Sequence, residues 1–266
     1  MQYNYHTHSR MCGHAVGELE EYVKEAISQG FTELGFSEHI PYPGDAFLNN
    51  GDIRERMPFA DWPEYIDTCN ALKEKYKGRI SILTGFEVEY TDLYASYYER
   101  VRASKDVDYM ILGQHFAAAE PGRYTNCFHT MYSTEDYIYY AKACLAGMET
   151  GMFSYLAHPD LFLRNDLGID DNVQRATDMI INAAVKNDYI LEVNANGFRR
   201  AIFQFKEGER LPYPTDYFWD QVTGTGIRVM IGSDCHKPAF VNDGAVASAE
   251  AFAADKKLHV IDRLPV

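Results

Sequence analysis

The chain alternates two kinds of apolar pattern. Seven short runs, Tyr3-Asn4-Tyr5, Leu34-Gly35-Phe36, Arg79–Phe86, Tyr109–Gly113, Phe153–Ala157, Tyr189–Val193 and Arg228–Ile231, are rich in aliphatic and aromatic residues and read as strands. Between them lie stretches whose apolar residues recur at helical spacing. In Glu18–Gln29, Leu19, Tyr22, Val23, Ala26 and Ile27 share one face, and Gly30 supplies a stop. Trp62, Tyr65, Ile66, Cys69, Leu72 and Tyr76 mark a second helix. Others are expected over Asp92–Ala103, Ser133–Gly151, Asn172–Asn187, Asp216–Thr225 and Ala245–Ala254. The stretch Pro41–Ala60, with Pro41, Pro43, Pro58, Gly44 and Gly51, reads as a surface loop able to lid whatever lies beyond the second strand.

A strand followed by a helix, repeated along the whole chain, predicts an α/β fold with a parallel sheet, and even repetition predicts a barrel. The 266 residues suit one such barrel, and no shift in composition marks a boundary, so residues 1–266 are expected to form a single domain.

Composition narrows the function. The chain is 46% hydrophobic and 24% charged, with a formal net charge of −14. So negative a protein has no general attraction for nucleic acid or anionic membranes, but it tolerates bound cations. No apolar run is long enough to span a membrane. The N-terminus has neither the basic nor the apolar region of a signal peptide. Five cysteines without regular spacing read as reduced thiols, so the expected location is the cytoplasm.

The chemistry-bearing residues fall in register with the strands. His6 and His8 follow the first; Glu38 and His39 the second; Glu87 and Glu89 the third. His115 follows the fourth, His158 and Asp160 the fifth, Asn194 and Asn196 the sixth, Asp234 and His236 the seventh. The C-terminal ends of the strands carry the active site in α/β barrels. With His14, seven of the nine histidines gather there, which packing alone does not explain. Seven imidazoles and the carboxylates of Glu87 and Asp234 exceed the three or four ligands that one catalytic ion needs. They suit two or three divalent ions with bridging carboxylates, and imidazole with carboxylate fits zinc, manganese or iron. Such a cluster lowers the pKa of bound water and clamps an anionic substrate.

The ordered set His6-x-His8, His14, Ser37-Glu38-His39, Gly85-x-Glu87, His115, Ala157-His158-Pro159 and Gly232-Ser233-Asp234-x-His236 resembles the polymerase and histidinol phosphatase (PHP) family. The resemblance runs from His6 to Pro238. It implies a distorted seven-stranded (β/α) TIM-like barrel with a trinuclear metal site. His6, His8, Glu87 and Asp234 would hold one ion; Glu87, His115 and His158 a second; His14, His39 and His236 a third. The segments "PYP" after His39, "AHPDLFLR" and "LEVNANGFRR" are similar to the histidinol-phosphate phosphatase branch, although "NANG" stands where "NTSG" is usual. In that branch arginines meet the substrate phosphate, which implicates Arg164 and Arg199 or Arg200. A guanidinium fork matches a phosphate dianion in two-pronged fashion.

The implied reaction is hydrolysis of a small phosphate monoester, L-histidinol phosphate first, by in-line attack of a metal-bound hydroxide. Asp160 is a candidate acid for the leaving group. Glu89, Tyr90, Asp92 and Phe116 are candidate contacts for the organic part of the substrate. Arg54-Glu55-Arg56 reads as a solvated charge run, and Cys12 and Cys235 lie beside ligands without being required as ligands. Competing readings are a phosphoesterase for a nucleotide or sugar phosphate, a metal-dependent amidohydrolase, and a non-catalytic metal-binding module. The amidohydrolase reading wants a bridging lysine, and Glu87 stands in its place.

Overall fold

The computed structural model describes residues 1–50, 53–120 and 123–265. Its centre is a curled parallel sheet. Strands β1 (Tyr3–Asn4), β2 (Glu33–His39), β3 (Ser81–Val88) and β4 (Tyr109–Leu112) pair in that order. Strands β5 (Leu191–Asn194), β6 (Arg228–Gly232) and β7 (His259–Val260) follow, with β6 in the middle. Leu156 joins the two halves through parallel bridges to Leu112 and to Leu191. The curl brings the ends of β1 and β6 together at a Thr7–Cys235 bridge, where the His8 N–H donates to the Cys235 carbonyl at 3.0 Å.

Seven helices wrap this sheet among the described residues: α1 (Leu19–Ser28), α2 (Trp62–Lys75), α3 (Ala95–Arg102), α4 (Glu135–Glu149), α5 (Asp171–Lys186), α6 (Asp216–Val222) and α7 (Gly244–Asp255). Each lies within a few residues of its expected place. Two of the starts are held by aspartate caps: Asp170 accepts from the Asn172 and Val173 N–H groups, and Asp243 accepts from Ala245 and Val246. Every residue of β2 is buried, as expected of a parallel strand covered on both faces.

Alternation along the strands splits the core. Leu34, Phe36, Phe86, Val88 and Leu112 pack outward against the helices. Tyr5, Tyr109, Ile111, Tyr155, Ile190 and Met230 fill the interior, with Leu264 from the C-terminal segment packed among them. The Tyr109 hydroxyl crosses the interior to donate to the carbonyls of Tyr5 (2.8 Å) and Phe36 (3.0 Å). Gly35 and Gly85 leave the space its ring occupies, since a Cβ at either would overlap that ring.

Three expectations need correction. Phe153–Ala157 is shorter as a stave than expected: only Leu156 forms bridges, while the N–H groups of Ser154 and Ala157 donate to the Met110 and Leu112 carbonyls, each at 2.8 Å, and the Leu156 N–H donates to the Ile190 carbonyl at 3.0 Å. The β3 ladder runs to Val88, so Glu87 lies in the strand and pairs in register with His39, the last residue of β2. The short hairpins Phe116–Glu120/Arg123–Asn126 and Phe203–Phe205/Gly208–Arg210, and the strand β7, were not expected. In the Pro41–Ala60 loop, Gly51 lies outside the described residues.

The tight fit around Tyr109 yields a test. Gly85→Ala should overpack the interior and cost about 1–3 kcal/mol, read as a lower thermal midpoint. An unchanged midpoint would mean the interior is looser than described.

Candidate metal centre

The parallel ladder supplies the first constraint. The His39–Glu87 pairing sets an imidazole beside a carboxylate at the C-terminal rim, with His39 Nδ1 3.0 Å from Glu87 Oε2. The other staves converge on the same carboxylate. His6 Nε2 lies 3.4 Å and His158 Nε2 2.9 Å from Glu87 Oε1, and His115 Nε2 lies 3.6 Å from it. His8 Nε2 lies 3.3 Å from Oε2. Gly113 makes this crowding possible, because a Cβ there would overlap Glu87 Oε1.

Asp234 forms the second focus. Its Oδ1 lies 3.7 Å from His6 Nε2, 3.5 Å from His8 Nε2 and 3.4 Å from His236 Nδ1. Its Oδ2 accepts from the side-chain amides of Asn194 and Asn196, each at 3.2 Å. His236 Nε2 meets His14 Nε2 at 3.0 Å. The rings of His39 and His236 stack on His8 with centroids 4.4 and 4.5 Å away. All nine residues expected to ligate ions therefore meet at one pole.

Electrostatics fits that arrangement. Burial would raise the Glu87 and Asp234 carboxyls, but His6 and its neighbouring imidazoles outweigh it and hold both well below the usual carboxylate range. Burial pushes His14 and His236 down to about 4 and lowers His8 and His39. Those rings are neutral at pH 7 and offer lone pairs. His6 is raised, because Glu192, Asp234 and Glu87 outweigh its burial. The buried nitrogens His6 Nε2, both nitrogens of His8, His39 Nδ1 and His158 Nδ1 make no hydrogen bond among the described residues. Buried polar atoms of this kind are costly unless something fills the site. Two turning points are also strained: His158 and Asp234 have φ of +32° and +46°, in a region side chains avoid.

Behind the ligands stands a carboxylate that sequence reasoning passed over. Glu192 on β5 is fully buried. Its Oε1 accepts from His6 Nδ1 at 2.8 Å, and its Oε2 accepts from the His158 N–H at 3.1 Å and from Asn194 Nδ2 at 2.8 Å. The signal was a charged residue inside the apolar run "YILEV". Gly232 leaves room for its carboxylate.

Several expected substrate contacts are occupied otherwise. Glu89 is buried, bound by Arg56 at 3.1 Å and by His115 Nδ1 at 2.9 Å, so it faces a ligand and not the cleft. Arg199 commits all three nitrogens to Asp243, Ser233 and the Phe240 carbonyl, pinning the loop after Asp234. Asp160 is 1% exposed and accepts from the Thr215 N–H (2.6 Å) and hydroxyl (3.1 Å); its carboxyl, pushed up to about 6 by burial, is engaged in holding Thr215, the N-cap of α6. Arg56 is 2% exposed, which removes it from any solvated charge run. Tyr90 bonds to Asp92 at 3.0 Å at the start of the next helix. Cys235 Sγ turns to Thr7, while Cys12 Sγ lies 3.9 Å from His14 Nε2.

The remaining candidates have these surroundings. Arg164 lies over the Phe128 ring at 4.4 Å, and Phe128 lies 5.9 Å from His115. Arg164 Nη1 donates to the Cys127 carbonyl at 3.1 Å, and Arg200 and Arg164 oppose the burial that raises the Tyr213 hydroxyl. Phe116 stacks on Phe47 at 4.6 Å and meets Tyr124 edge-on, forming an aromatic wall after His115.

A family model, the PHP domain, matches residues 4–196. The chain belongs to the PHP domain family. Among curated relatives, a Deinococcus radiodurans protein named probable histidinol-phosphatase is 27% identical over 242 residues, covering 89% of this chain and 86% of its own. The Bacillus subtilis histidinol-phosphatase is 24% identical over 263 residues, covering 87% and 92%. The crystal structure of a Lactococcus lactis histidinol phosphate phosphatase, complexed with zinc, L-histidinol and phosphate, shares the fold. Its TM-score is 0.72 at 20% identity, over 99% of this chain and 96% of that one.

Glu192 gives this site its own test. Glu192→Gln keeps the shape but loses an acceptor, and should weaken metal binding roughly ten- to a hundredfold, read by chelator competition. Unchanged affinity would make Glu192 a structural residue only.

Proposed function

We propose that this chain is a metal-dependent histidinol-phosphate phosphatase, converting L-histidinol phosphate and water to L-histidinol and phosphate. The observation that carries this reading is the convergence of six imidazoles on two buried carboxylates, with His14 joined through His236 and several buried imidazole nitrogens left without a hydrogen bond. The relatives named histidinol-phosphatase, matched over most of their length, support the substrate.

The residues fit divalent ions. Ligand atoms of His6, His8 and Glu87, of His39, Glu87 and His115, and of His8, His39 and His236 each gather within 4.8 Å. Two or three ions, zinc, manganese or iron, are the proposed cofactors, with zinc the first to test because the Lactococcus lactis protein holds it. His6, His8, Glu87 and Asp234 would hold one ion, Glu87, His115 and His158 a second, and His14, His39 and His236 a third. When bound, such ions supply Lewis acidity and a water acidic enough to attack near neutral pH.

The chain's own residues do the rest. Glu192 fixes His6 so that its Nε2 faces the cleft. Asn194 and Asn196 hold Asp234. Arg164 and Arg200 flank the place where a phosphate dianion would sit, and a guanidinium there offsets charge on the equatorial oxygens. Phe116 and Phe128 form the apolar side, suited to an imidazole. The P–O bond to the alcohol breaks as the bond to water's oxygen forms, and the proton ends on the histidinol oxygen. With this activity go the remaining proposals: a complete seven-stave, TIM-like barrel over residues 1–266, no nucleic-acid or membrane partner, and a cytoplasmic location. No described helix is long and apolar enough to cross a membrane, and all five cysteines are free and buried.

Phosphate release from a panel of phosphomonoesters tests the proposal, with L-histidinol phosphate expected to lead by at least roughly tenfold. Preference for a sugar or nucleotide phosphate would move the substrate while keeping the site. Glu87→Gln should lose at least one ion and nearly all turnover; full activity would remove Glu87 from the chemistry. Arg164→Ala should raise KM about tenfold with ion content unchanged, the size of one lost charged hydrogen bond. Loss of metal in that variant would make Arg164 structural.

A further inference from the structure

The described residues of the segment between β2 and α2 meet the site at several points. Arg56, near its end, is buried with every nitrogen engaged. Nε donates to the Phe47 carbonyl at 2.7 Å, and Nη1 donates to the Ile40 carbonyl at 3.0 Å and to Glu89 Oε2 at 3.1 Å. Nη2 donates to Glu89 Oε1 at 3.1 Å, and the guanidinium lies over the Tyr42 ring at 5.1 Å. One side chain thus ties both ends of the segment to β3's exit.

Glu89 passes this restraint on. The same Oε1 that meets Arg56 meets His115 Nδ1 at 2.9 Å, which turns His115 Nε2 toward Glu87. Two residues before Arg56, the Arg54 carbonyl lies 3.3 Å from His14 Nδ1, and Arg54 Nη2 donates to the Met11 carbonyl at 3.1 Å. Phe47 stacks on Phe116, the residue after His115. The segment therefore holds a candidate ligand at each flank of the cleft, by different means.

We propose that Arg56 is a positioning residue: through Glu89 it orients His115, so that docking of this strap and ion binding at His115 stabilise each other. The inference rests on the metal-dependent phosphatase reading. Arginine suits the role and lysine does not, because the carboxylate is met by two nitrogens at once. A purely structural strap would stabilise the fold without changing how tightly His115's ion is held.

Coupling between two events is reciprocal, so the wild-type full-length chain already tests it. Zinc added to the chelator-stripped protein should slow proteolytic cutting within residues 41–60 roughly tenfold, the lower end of what such outer partners contribute. In His115→Ala that protection should vanish. Arg56→Lys should weaken one zinc ion by roughly the same factor, and combining it with His115→Ala should weaken zinc no further. Zinc binding and turnover without protection of the strap would overturn this inference alone. So would an Arg56→Lys loss that adds in full to that of His115→Ala. A wild-type chain that binds no zinc and releases no phosphate would overturn the phosphatase reading as well.

Discussion

Everything at the C-terminal pole depends on the burial of Glu87 and Asp234 among imidazoles. An isolated buried carboxylate is costly and normally takes up a proton. Here the neighbouring rings hold both groups ionised, and behind them lie two more buried carboxylates, Glu192 and Glu89, with Arg56 the only guanidinium buried against them among the described residues. The excess of negative charge, walled in part by the neutral imidazoles of His8, His14, His39 and His236, is an environment completed by cations. The chain's overall charge of −14 points the same way, though far less specifically.

The fold is organised to present that cluster. Parallel staves put all their C-terminal ends at one pole, and the His39–Glu87 register aligns two donors without help from any loop. Glycine supplies the space: Gly113 admits Glu87 and Gly232 admits Glu192. Below the cluster, Tyr109 cross-braces the interior, so the polar layer rests on a packed apolar one. Stability lies in the helices and the lower interior, which frees the upper pole to carry strain at His158 and Asp234.

How much of this the sequence disclosed follows the range of the interactions. Ligands were legible because most lie at or just beyond the C-terminal end of a strand, and strand and helix periods are local properties. Phe153–Ala157 was legible as a stave by its apolar pattern, and Ser154 and Ala157 do donate to β4 and Leu156 to Ile190; that only Leu156 forms bridges was not a local property. Charged residues in loops were the least legible. Arg56 meets Glu89 across 33 positions and Arg199 meets Asp243 across 44, and nothing near either arginine separates a buried clamp from a solvated side chain. Glu192 lay between these cases: its place within an apolar strand was a local sign, but its partners His6 and His158 were not.

The most direct test of the central claim is the ion content of the purified full-length chain, measured by elemental analysis and followed through chelation and re-addition. The account predicts two or three divalent ions per chain, a lower thermal midpoint once they are stripped, and recovery when they return. A chain that holds no ions, with a midpoint indifferent to chelator and to added zinc, manganese or iron, would contradict it.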